Sequence, residues 1–447
     1  MSTEGDGERP ICGRCRVGSR ECRRPDKQIR FIFGNTTLSE GRGITSSTTV
    51  DSRLRAIDPL SVETETQRPT LATPRLLLLA SSDPAKALTE PEIVEAFAHY
   101  ISVLAPWYDL NDPQRTFGTL VVETALQVPI LFKAIVAFSA RHSSKLNGSN
   151  SEIANIFHDA CVEDFLSSME SPDTTLKGSK LAATCLLRSY EIINGGSRVE
   201  SHLLGAYSYA VSEPIDFSET GISQAGAWNY LREEITVGLM RRRGVRMGQI
   251  FHNHLENDPY DVSLPNRITY LLAKVINFCF IEPHLQALPA SRQATWRTLN
   301  SEFVAWKAEL TTSFVPYSSA AKSGNPFPSL WMLRPWYVAA QQYRSVVEIL
   351  LTLHDPLPVG GHISRRSFAF AEEQALVICG LAWTNDDDSA HVNAYGPLAF
   401  CGRYLSRRHH QEGLVAFLRK SSNDTGWPVI DIVNDLQQHW ESEYHAS

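Results

Sequence analysis

Residues 89–104, TEPEIVEAFAHYISVL, decide the fold class because their apolar side chains recur with the period of an α-helix. Thr89 followed by Glu92 forms a capping-box pattern, which predicts that a helix begins here, and Pro106 predicts its end. One apolar face is expected to carry the side chains of Ile93, Val94, Phe97, Tyr100, Ile101 and Leu104. The sequence therefore predicts an amphipathic helix that packs on a core.

Helical patterns of the same kind continue to the end of the chain. Asp112-Pro113 predicts an N-cap followed by proline at the first helical position, and Pro129 predicts the start of another helix. Further helices are expected at about 151–170, 176–194, 198–211, 224–243, 266–282, 291–313, 331–354, 367–384, 391–407, 411–420 and 428–444. Strand alternation is almost absent, so we expect an all-α body of many helices joined by short loops.

Composition limits the classes of protein that the chain can form. Of its 447 residues, 43% are apolar, which is enough for a large buried core. The net charge of −7 excludes a protein that coats nucleic acid along its whole length, because such a protein would be basic. No apolar run approaches the ~20 residues of a membrane span, and the first residues lack a signal-peptide core. We therefore expect a reducing compartment and no membrane partner.

Charge and composition divide the chain into three expected parts. Residues 9–30 carry eight Lys or Arg against two acidic residues, so a small basic head precedes an acidic body. Roughly half of residues 34–74 are Gly, Ser, Thr or Pro, and no aromatic residue lies between Phe33 and Phe97. We expect a basic head at 1–33, a disordered linker at 34–88 and the all-α body at 89–447.

Three of the eight cysteines lie close together in the basic head. Cys12, Cys15 and Cys22 have the spacing C-x2-C-x6-C, in which the first two thiolates can bind one tetrahedral metal. Zinc is the ion expected for a sulfur-rich site, although three thiolates are one ligand short of a closed one. A chance cluster of unrelated cysteines is the alternative. We expect the remaining thiols to be buried in the core: Cys161, Cys185, Cys279, Cys379 and Cys401.

The segment PICGRCRVGSRECRRPDKQIRF, residues 10–31, resembles the second half of the Zn₂Cys₆ binuclear cluster of fungal transcription factors. Cys12, Cys15 and Cys22 would correspond to the fourth, fifth and sixth cysteines of that motif. Gly18 interrupts the segment in which the first half normally carries an unbroken basic run. The resemblance implies zinc binding and DNA contacts, mostly to the phosphate backbone, by Arg14, Arg16, Arg20, Arg23 and Arg24.

The first half of the cluster has no counterpart after Met1, and two explanations stay open. Either the recorded start is internal to a longer gene product, or the chain is a degenerate relative of the family. By itself, the half motif is expected to fold weakly and to bind DNA poorly.

The body resembles the fungal-specific transcription factor regulatory domain. The resemblance rests on Tyr100–Ala140, on AWNYLREEI at 227–235, on ICGLA at 378–382 with Asn385, and on FCGRY at 400–404. The resemblance extends over roughly residues 90–445. The resemblance implies an all-α regulatory body, in agreement with the helical periodicity.

The two resemblances imply a nuclear, zinc-dependent and sequence-specific DNA-binding regulator of RNA polymerase II transcription. Its genes would be those of metabolism or of biosynthetic clusters. Its partners would be double-stranded DNA, the transcription machinery and a second copy of the chain. An alternative is an interaction protein that keeps only the helical body and does not bind DNA. An α-helical enzyme or ligand-binding protein is a third hypothesis, but the sequence contains no recognisable catalytic signature.

Several other residues allow two interpretations. Trp228, Tyr230, Leu231 and Arg232 either line an effector pocket or pack in the core, and packing is favoured. The tryptophans 107, 228, 331, 336 and 440 are expected within helices, in the core or lining a groove. Helix ends or loops are favoured over ion sites for His252/His254, His409-His410, Arg241–Arg243 and Asp386–Asp388.

Overall fold

The computed structural model describes residues 74–148, 151–170, 177–195, 221–247, 263–280, 289–319, 324–356 and 365–446, all within the compact unit Arg68–Ser447. The basic head, residues 34–73 of the expected linker and the helix expected at 198–211 lie outside the described residues. None of the helices in the described part is long and apolar enough to cross a membrane.

Helices account for nearly all of the described structure. The first eight are α1 (Pro74–Ala80), α2 (Pro84–Ala87), α3 (Pro91–His99), α4 (Ala105–Tyr108), α5 (Leu120–Ala125), α6 (Pro129–Leu146), α7 (Glu152–Glu170) and α8 (Lys177–Ile193). The others are α9 (Ile222–Arg241), α10 (Leu264–Cys279), α11 (Pro289–Ala308), α12 (Pro335–Leu353), α13 (Arg365–Thr384), α14 (Asp388–Cys401), α15 (Arg408–Thr425) and α16 (Ile430–Ala446). The expected all-α class is confirmed, since the described residues contain only two three-residue strands.

The helical body begins before residue 89. Helices α1 and α2 lie in the segment that was expected to be linker, and Leu79, Ala80 and Ala87 are buried in the core. The Asp83 carboxylate caps α2 by accepting a 2.8 Å hydrogen bond from the Ala85 N–H. Residues 74–88 are therefore part of the body rather than of a disordered linker.

The start of α3 differs from the expected capping box. The Thr89 hydroxyl donates to the Lys86 carbonyl, so it closes the preceding turn, and α3 begins at Pro91 without a side-chain cap. Proline at the first position needs no cap for its own nitrogen, because it has no N–H. Val94 of α3 is 42% exposed, and Ile101, just after α3, is 38% exposed, so the buried face of this stretch is narrower than the sequence pattern indicates.

Pro106 does not end the helical path. A π-helical turn, Tyr100–Leu104, joins α3 to α4, and Pro106 lies in the first turn of α4, where no intrahelical donor is required. Asp112 is not a helix N-cap either. Its carboxylate accepts from the N–H groups of Gln114 and Thr116, which builds a turn before α5 begins at Leu120.

The body contains two large apolar cores that meet at α8 and α9. The first core is formed mainly by α1–α8, and the second mainly by α9–α16. Leu181 of α8 belongs to the second core, whereas Tyr230 of α9 belongs to the first. Val392 and Trp427 pack against both cores. The two cores are therefore joined at α8 and α9, and also through Val392 and Trp427.

A short antiparallel hairpin interrupts the helices between α11 and α12. Strand β1 (Tyr317–Ser319) pairs with β2 (Ser329–Trp331), with Tyr317 opposite Trp331 and Ser319 opposite Ser329. Trp331 therefore lies in a strand and is about half-exposed, rather than in a helix or the core. Trp336 is also exposed, at the start of α12.

Gly380 lets the hairpin approach α13 closely. A Cβ atom at this position would lie 2.5 Å from the carbonyl oxygen of Pro328 and 2.9 Å from its Cγ. Gly380 belongs to the ICGLA segment of the resemblance, and its role in the structure is to permit this contact.

We expect Gly380→Ala to lower the free energy of unfolding by about 2 kcal/mol, because the added methyl group overpacks the contact with Pro328. Alanine favours helices over glycine by about 1 kcal/mol, so intrinsic propensity acts in the opposite direction. Urea unfolding measures the change. The control is Ala369→Gly at an exposed position of α13, which should cost about 1 kcal/mol. Unchanged or increased stability of Gly380→Ala would contradict the close approach.

Candidate functional site

The site residues expected from the sequence lie outside the described residues. They are the metal ligands Cys12, Cys15 and Cys22 and the DNA-contacting Arg14, Arg16, Arg20, Arg23 and Arg24. His252 and His254 also lie outside this part of the chain. Within the described residues, no group of three or more His, Cys, Asp or Glu side chains is arranged to hold a metal ion. The candidate site that can be described is a buried polar junction between the two cores.

The first element of the junction is the carbonyl group of Tyr108, at the C-terminus of α4. It accepts hydrogen bonds from Asn229 Nδ2 at 3.1 Å and from an Arg232 guanidinium nitrogen at 2.9 Å. A second bond joins the Arg232 guanidinium to Asn229 Oδ1. The last carbonyl groups of a helix lack intrahelical donors, and these two side chains of α9 supply them. Burial lowers the pKa of Arg232 from its usual value.

The second element links α8 to α9 and α4. The Tyr108 hydroxyl donates to Ser189 Oγ at 2.6 Å, and the neighbouring Arg188 forms an ion pair with Glu233. The Arg188 side chain is 4% exposed. Burial raises the pKa of Glu233, while the attraction of Arg188 opposes that change. The same turn of α8 thus binds both a hydroxyl group of the first core and a carboxylate of α9.

The third element is the carboxylate of Asp109, which follows α4. Asp109 accepts hydrogen bonds of 2.8 Å from the N–H groups of Phe117 and Gly118. Burial raises its pKa to about 6, although both hydrogen bonds favour the ionised form. The Tyr108 ring stacks on Phe117 with a centroid distance of 4.8 Å, so this turn is packed as well as hydrogen-bonded.

A pair of histidines forms the fourth element and connects α3, α6 and α15. His99 Nε2 and His142 Nδ1 are 2.8 Å apart, and His142 Nε2 lies 2.9 Å from the Thr425 carbonyl oxygen. A carbonyl oxygen only accepts, so Nε2 of His142 carries the hydrogen, and Nδ1 accepts from His99. Burial lowers the pKa of His142 to about 4 and also lowers that of His99. The edge of the Trp107 ring contacts the same imidazole, with a centroid distance of 5.1 Å.

The structure favours packing over an effector pocket for the WNYLR segment of α9. Trp228, Tyr230, Leu231 and Arg232 are all buried, and the two polar heads bond to neighbouring backbone: Tyr230 Oη donates to the Arg246 carbonyl at 3.0 Å. The sequence signal identified this segment but not its partners. Asn229, Tyr108 and Arg188 were not identified, because each acts through a residue distant in the sequence.

Other expectations for helix ends have mixed outcomes. The Asp387 carboxylate caps α14 by accepting from the Ala390 N–H, and Arg241 is the last residue of α9, followed by Arg242 in the left-handed conformation. His409-His410 lies at a helix end, as expected, but His410 is buried rather than solvated. It lies in the first turn of α15, is 8% exposed and stacks on Phe327.

The expected core thiols are confirmed for Cys161, Cys185, Cys379 and Cys401, which are buried and unpaired, while Cys279 is partly buried.

Comparisons with known proteins point to transcription. Residues 95–214 match the family model described as fungal specific transcription factor domain. The chain is also similar to a protein named transcription activator AMTR1 from Alternaria alternata, with 22% identity over 205 residues. That match covers 39% of this chain and 27% of the relative, so the chain spans about a quarter of the relative's length. No solved structure matches the chain. The matched family model covers α3–α8, including Tyr108, His142 and Arg188 of the junction.

Proposed function

We propose that this chain is a nuclear transcription regulator of the fungal zinc-cluster class, which binds specific DNA sequences and controls genes transcribed by RNA polymerase II. The observation that carries the proposal is the match of residues 95–214 to the fungal specific transcription factor domain. The name of the Alternaria relative, a transcription activator, supports it. Both findings concern the helical body, and the DNA-binding part of the proposal rests on the sequence of the basic head.

Zinc is the proposed cofactor of the head. The donor set Cys12, Cys15 and Cys22 fits zinc in ligand chemistry, because three thiolates suit a redox-silent tetrahedral ion that still takes a fourth ligand. The bound ion would supply the cross-link that folds a segment too small to fold alone. The neighbouring arginines 14, 16, 20, 23 and 24 would then contact DNA, mainly through phosphate groups, so binding should weaken with salt.

The helical body would integrate regulatory signals and recruit the transcription machinery. In this proposal it also joins two copies of the chain, which would present two heads to one DNA site. Target genes of metabolism or of biosynthetic clusters remain part of the proposal. The buried junction would make the two halves of the body respond together, since α9 is hydrogen-bonded to the C-terminus of α4 and ion-paired to α8.

We expect the 447-residue chain to bind DNA, and so to slow its migration in a gel, only when zinc is present. The double variant Cys12→Ser/Cys15→Ser should weaken this binding at least ~10-fold, because the zinc site organises the basic segment. A mobility-shift titration against a pool of random-sequence duplexes at low salt measures the effect. Cys279→Ser is the matched control, since it removes a partly buried thiol of the body and leaves the head unchanged.

Two outcomes would contradict the proposal in different ways. Equal retardation by the double variant, or by the wild-type protein without zinc, would remove zinc from the function. Failure of the wild-type protein to bind any duplex with zinc at low salt would favour the alternative, an interaction protein that keeps only the helical body.

A further inference from the structure

One face of the β1–β2 hairpin is apolar and largely uncovered. Four side chains on it are half-exposed or more: Val315 is 61% exposed, Tyr317 56%, Trp331 52% and Leu333 55%. These four side chains are called the hairpin face below. Exposed apolar residues are ordinary when scattered, but a contiguous group on one sheet face is typical of an interaction surface.

The strand register places the two aromatic side chains together. Tyr317 lies directly opposite Trp331, and residues opposite each other in an antiparallel pair share one face of the sheet. Val315 lies two residues before Tyr317 in the chain, and Leu333 lies two residues after Trp331. The hairpin face therefore consists of one aromatic rung and the two exposed aliphatic residues that flank the paired strands.

The other side of the hairpin and one of its edges are already occupied. Leu330 points to the opposite face and packs against a small cluster formed by Val338, Leu381 and Ala390. The outer edge of β2 is bonded to the end of α13: Leu330 N–H donates to Thr384 Oγ1, and the Asn385 amide bonds to both Leu330 C=O and Met332 N–H. In the part of the chain that the structure describes, no third strand pairs with β1. The uncovered face and the unpaired edge thus lie on the same element.

We propose that the hairpin face is covered by the hairpin face of a second copy of this chain, related by a two-fold axis. This surface deepens the homodimer of the proposed function and rests on that part of it. A two-fold interface brings the same patch of both copies together, so a charged side chain at its centre would lie opposite a like charge and be repelled. All four side chains of the hairpin face are uncharged. The charged Arg334 follows Leu333 at the rim of the hairpin face. Its guanidinium lies 5.7 Å from the centre of the Trp336 ring, and this cation–π contact stabilises the charge there.

The size of the hairpin face fits the centre of such an interface. Four large side chains that are about half-exposed present roughly 400 Å² of apolar area, taking ~150–250 Å² for each aromatic side chain. A standard interface buries about 800 Å² per partner. The remaining area would come from Trp336, which is 37% exposed, and from the polar residues around the hairpin face. Tryptophan and tyrosine at the centre of an interface are typical hot spots.

The experiment measures the mass of the full-length protein in solution without DNA, by sedimentation or light scattering over a concentration series. We expect the wild-type protein to reach twice its monomer mass of 49.9 kDa. Tyr317→Ser/Trp331→Ser should raise the dissociation constant at least ~30-fold, because each side chain removed is a central aromatic anchor. The matched control is Leu78→Ser/Ile430→Ser, which removes two equally exposed apolar side chains of α1 and α16 and should leave the dimer unchanged. Circular dichroism establishes that all variants are folded.

A wild-type protein that stays monomeric at its highest soluble concentration would overturn the proposal. A dimer that persists in the hairpin variant, or that is lost equally in the control, would overturn this surface as the interface. The mobility-shift assay separates this result from the proposed function. A dimer that needs the hairpin face but binds no DNA supports the surface and contradicts the DNA-binding function. A wild-type protein that binds DNA as a monomer supports the DNA-binding function and contradicts the surface.

Discussion

Replacing Arg188 with methionine is expected to lower the free energy of unfolding by about 3–5 kcal/mol. Arg188 on α8 is 4% exposed and forms an ion pair with Glu233 on α9. Methionine fills a similar volume but carries no charge, so the Glu233 carboxylate would stay in a mostly buried position without its cation. The cost comes from that unpaired charge rather than from the lost attraction alone.

A double variant separates these two contributions. Arg188→Met/Glu233→Met removes both charges and replaces them with apolar volume, so its stability should lie close to that of the wild-type protein. Urea unfolding of the two single variants and the double variant gives the interaction energy. The control Arg297→Met removes an exposed arginine of α11 and should change stability by less than about 0.5 kcal/mol. A single variant within about 1 kcal/mol of wild type, or a double variant as unstable as the single one, would contradict the buried pair.

The helical class could be predicted from the sequence because the 3.6-residue period of apolar side chains depends only on neighbouring positions. The period also located most helices, including the stretch that became α9. Its limits appear in α3 and in the π-helical turn that follows it, where Val94 and Ile101 continue the apolar pattern but remain exposed. The width of a buried face depends on which helices pack against it, and that information is not local.

Pro106 and Asp112 depart from their local sequence patterns for a related reason. Pro106 ends a regular helix only if the residues before it keep α-helical hydrogen bonds, and here a π-helical turn removes that condition. Asp112 has the local pattern of an N-cap, yet its carboxylate closes a turn. The chain after it folds back so that the N–H groups of Phe117 and Gly118 bond to the Asp109 carboxylate, and a helix cannot begin at Asp112.

One segment of the junction could be recognised in the sequence, whereas the contacts that the segment makes could not. The AWNYLREEI segment was identified as a motif, and its aromatic and aliphatic positions were correctly interpreted as packing. Its polar positions bond to groups far along the chain: Asn229 and Arg232 bind the Tyr108 carbonyl, and Glu233 binds Arg188. No spacing rule predicts such pairs in a single sequence, since they depend on how two helices cross.

Acidification from pH 7 to pH 5 is expected to destabilise the wild-type protein by about 2 kcal/mol relative to His142→Gln. Burial lowers the pKa of His142 to about 4 in the folded protein, whereas an unfolded histidine titrates near 6.5. The unfolded chain therefore binds the proton first as the pH falls. Stability is lost from about pH 6.5 downward, and the loss reaches about 3 kcal/mol near pH 4.

The structural cause of this titration is the position of the His142 imidazole between two partners. Its Nε2–H is used by the Thr425 carbonyl, so an added proton must go to Nδ1, which faces the Nε2–H of His99 at 2.8 Å. The ring also lies against the edge of Trp107, away from water. Glutamine can donate to the carbonyl and accept from His99 through its neutral amide, and it does not titrate.

Asp109 titrates over the same range with the opposite sign, which makes the wild-type profile uninformative by itself. Burial raises the pKa of Asp109 to about 6, so the folded protein binds this proton before the unfolded chain does. Acidification from pH 7 to pH 5 then stabilises the fold by about 1.4 kcal/mol and offsets most of the His142 effect. The two contributions are separated only in variants that remove one group at a time.

Stability measured by urea unfolding at pH 7, 6 and 5 should therefore depart from the wild-type profile in opposite directions in the two single variants. Relative to the wild-type protein, His142→Gln should gain stability as the pH falls, because the His142 loss is removed, whereas Asp109→Asn should lose stability, because the Asp109 gain is removed. The difference between the two slopes is the quantity to compare, since every other titrating group is common to both proteins and cancels. Parallel pH profiles in His142→Gln and Asp109→Asn would show that neither side chain is held in the buried, uncompensated environment that the junction gives it.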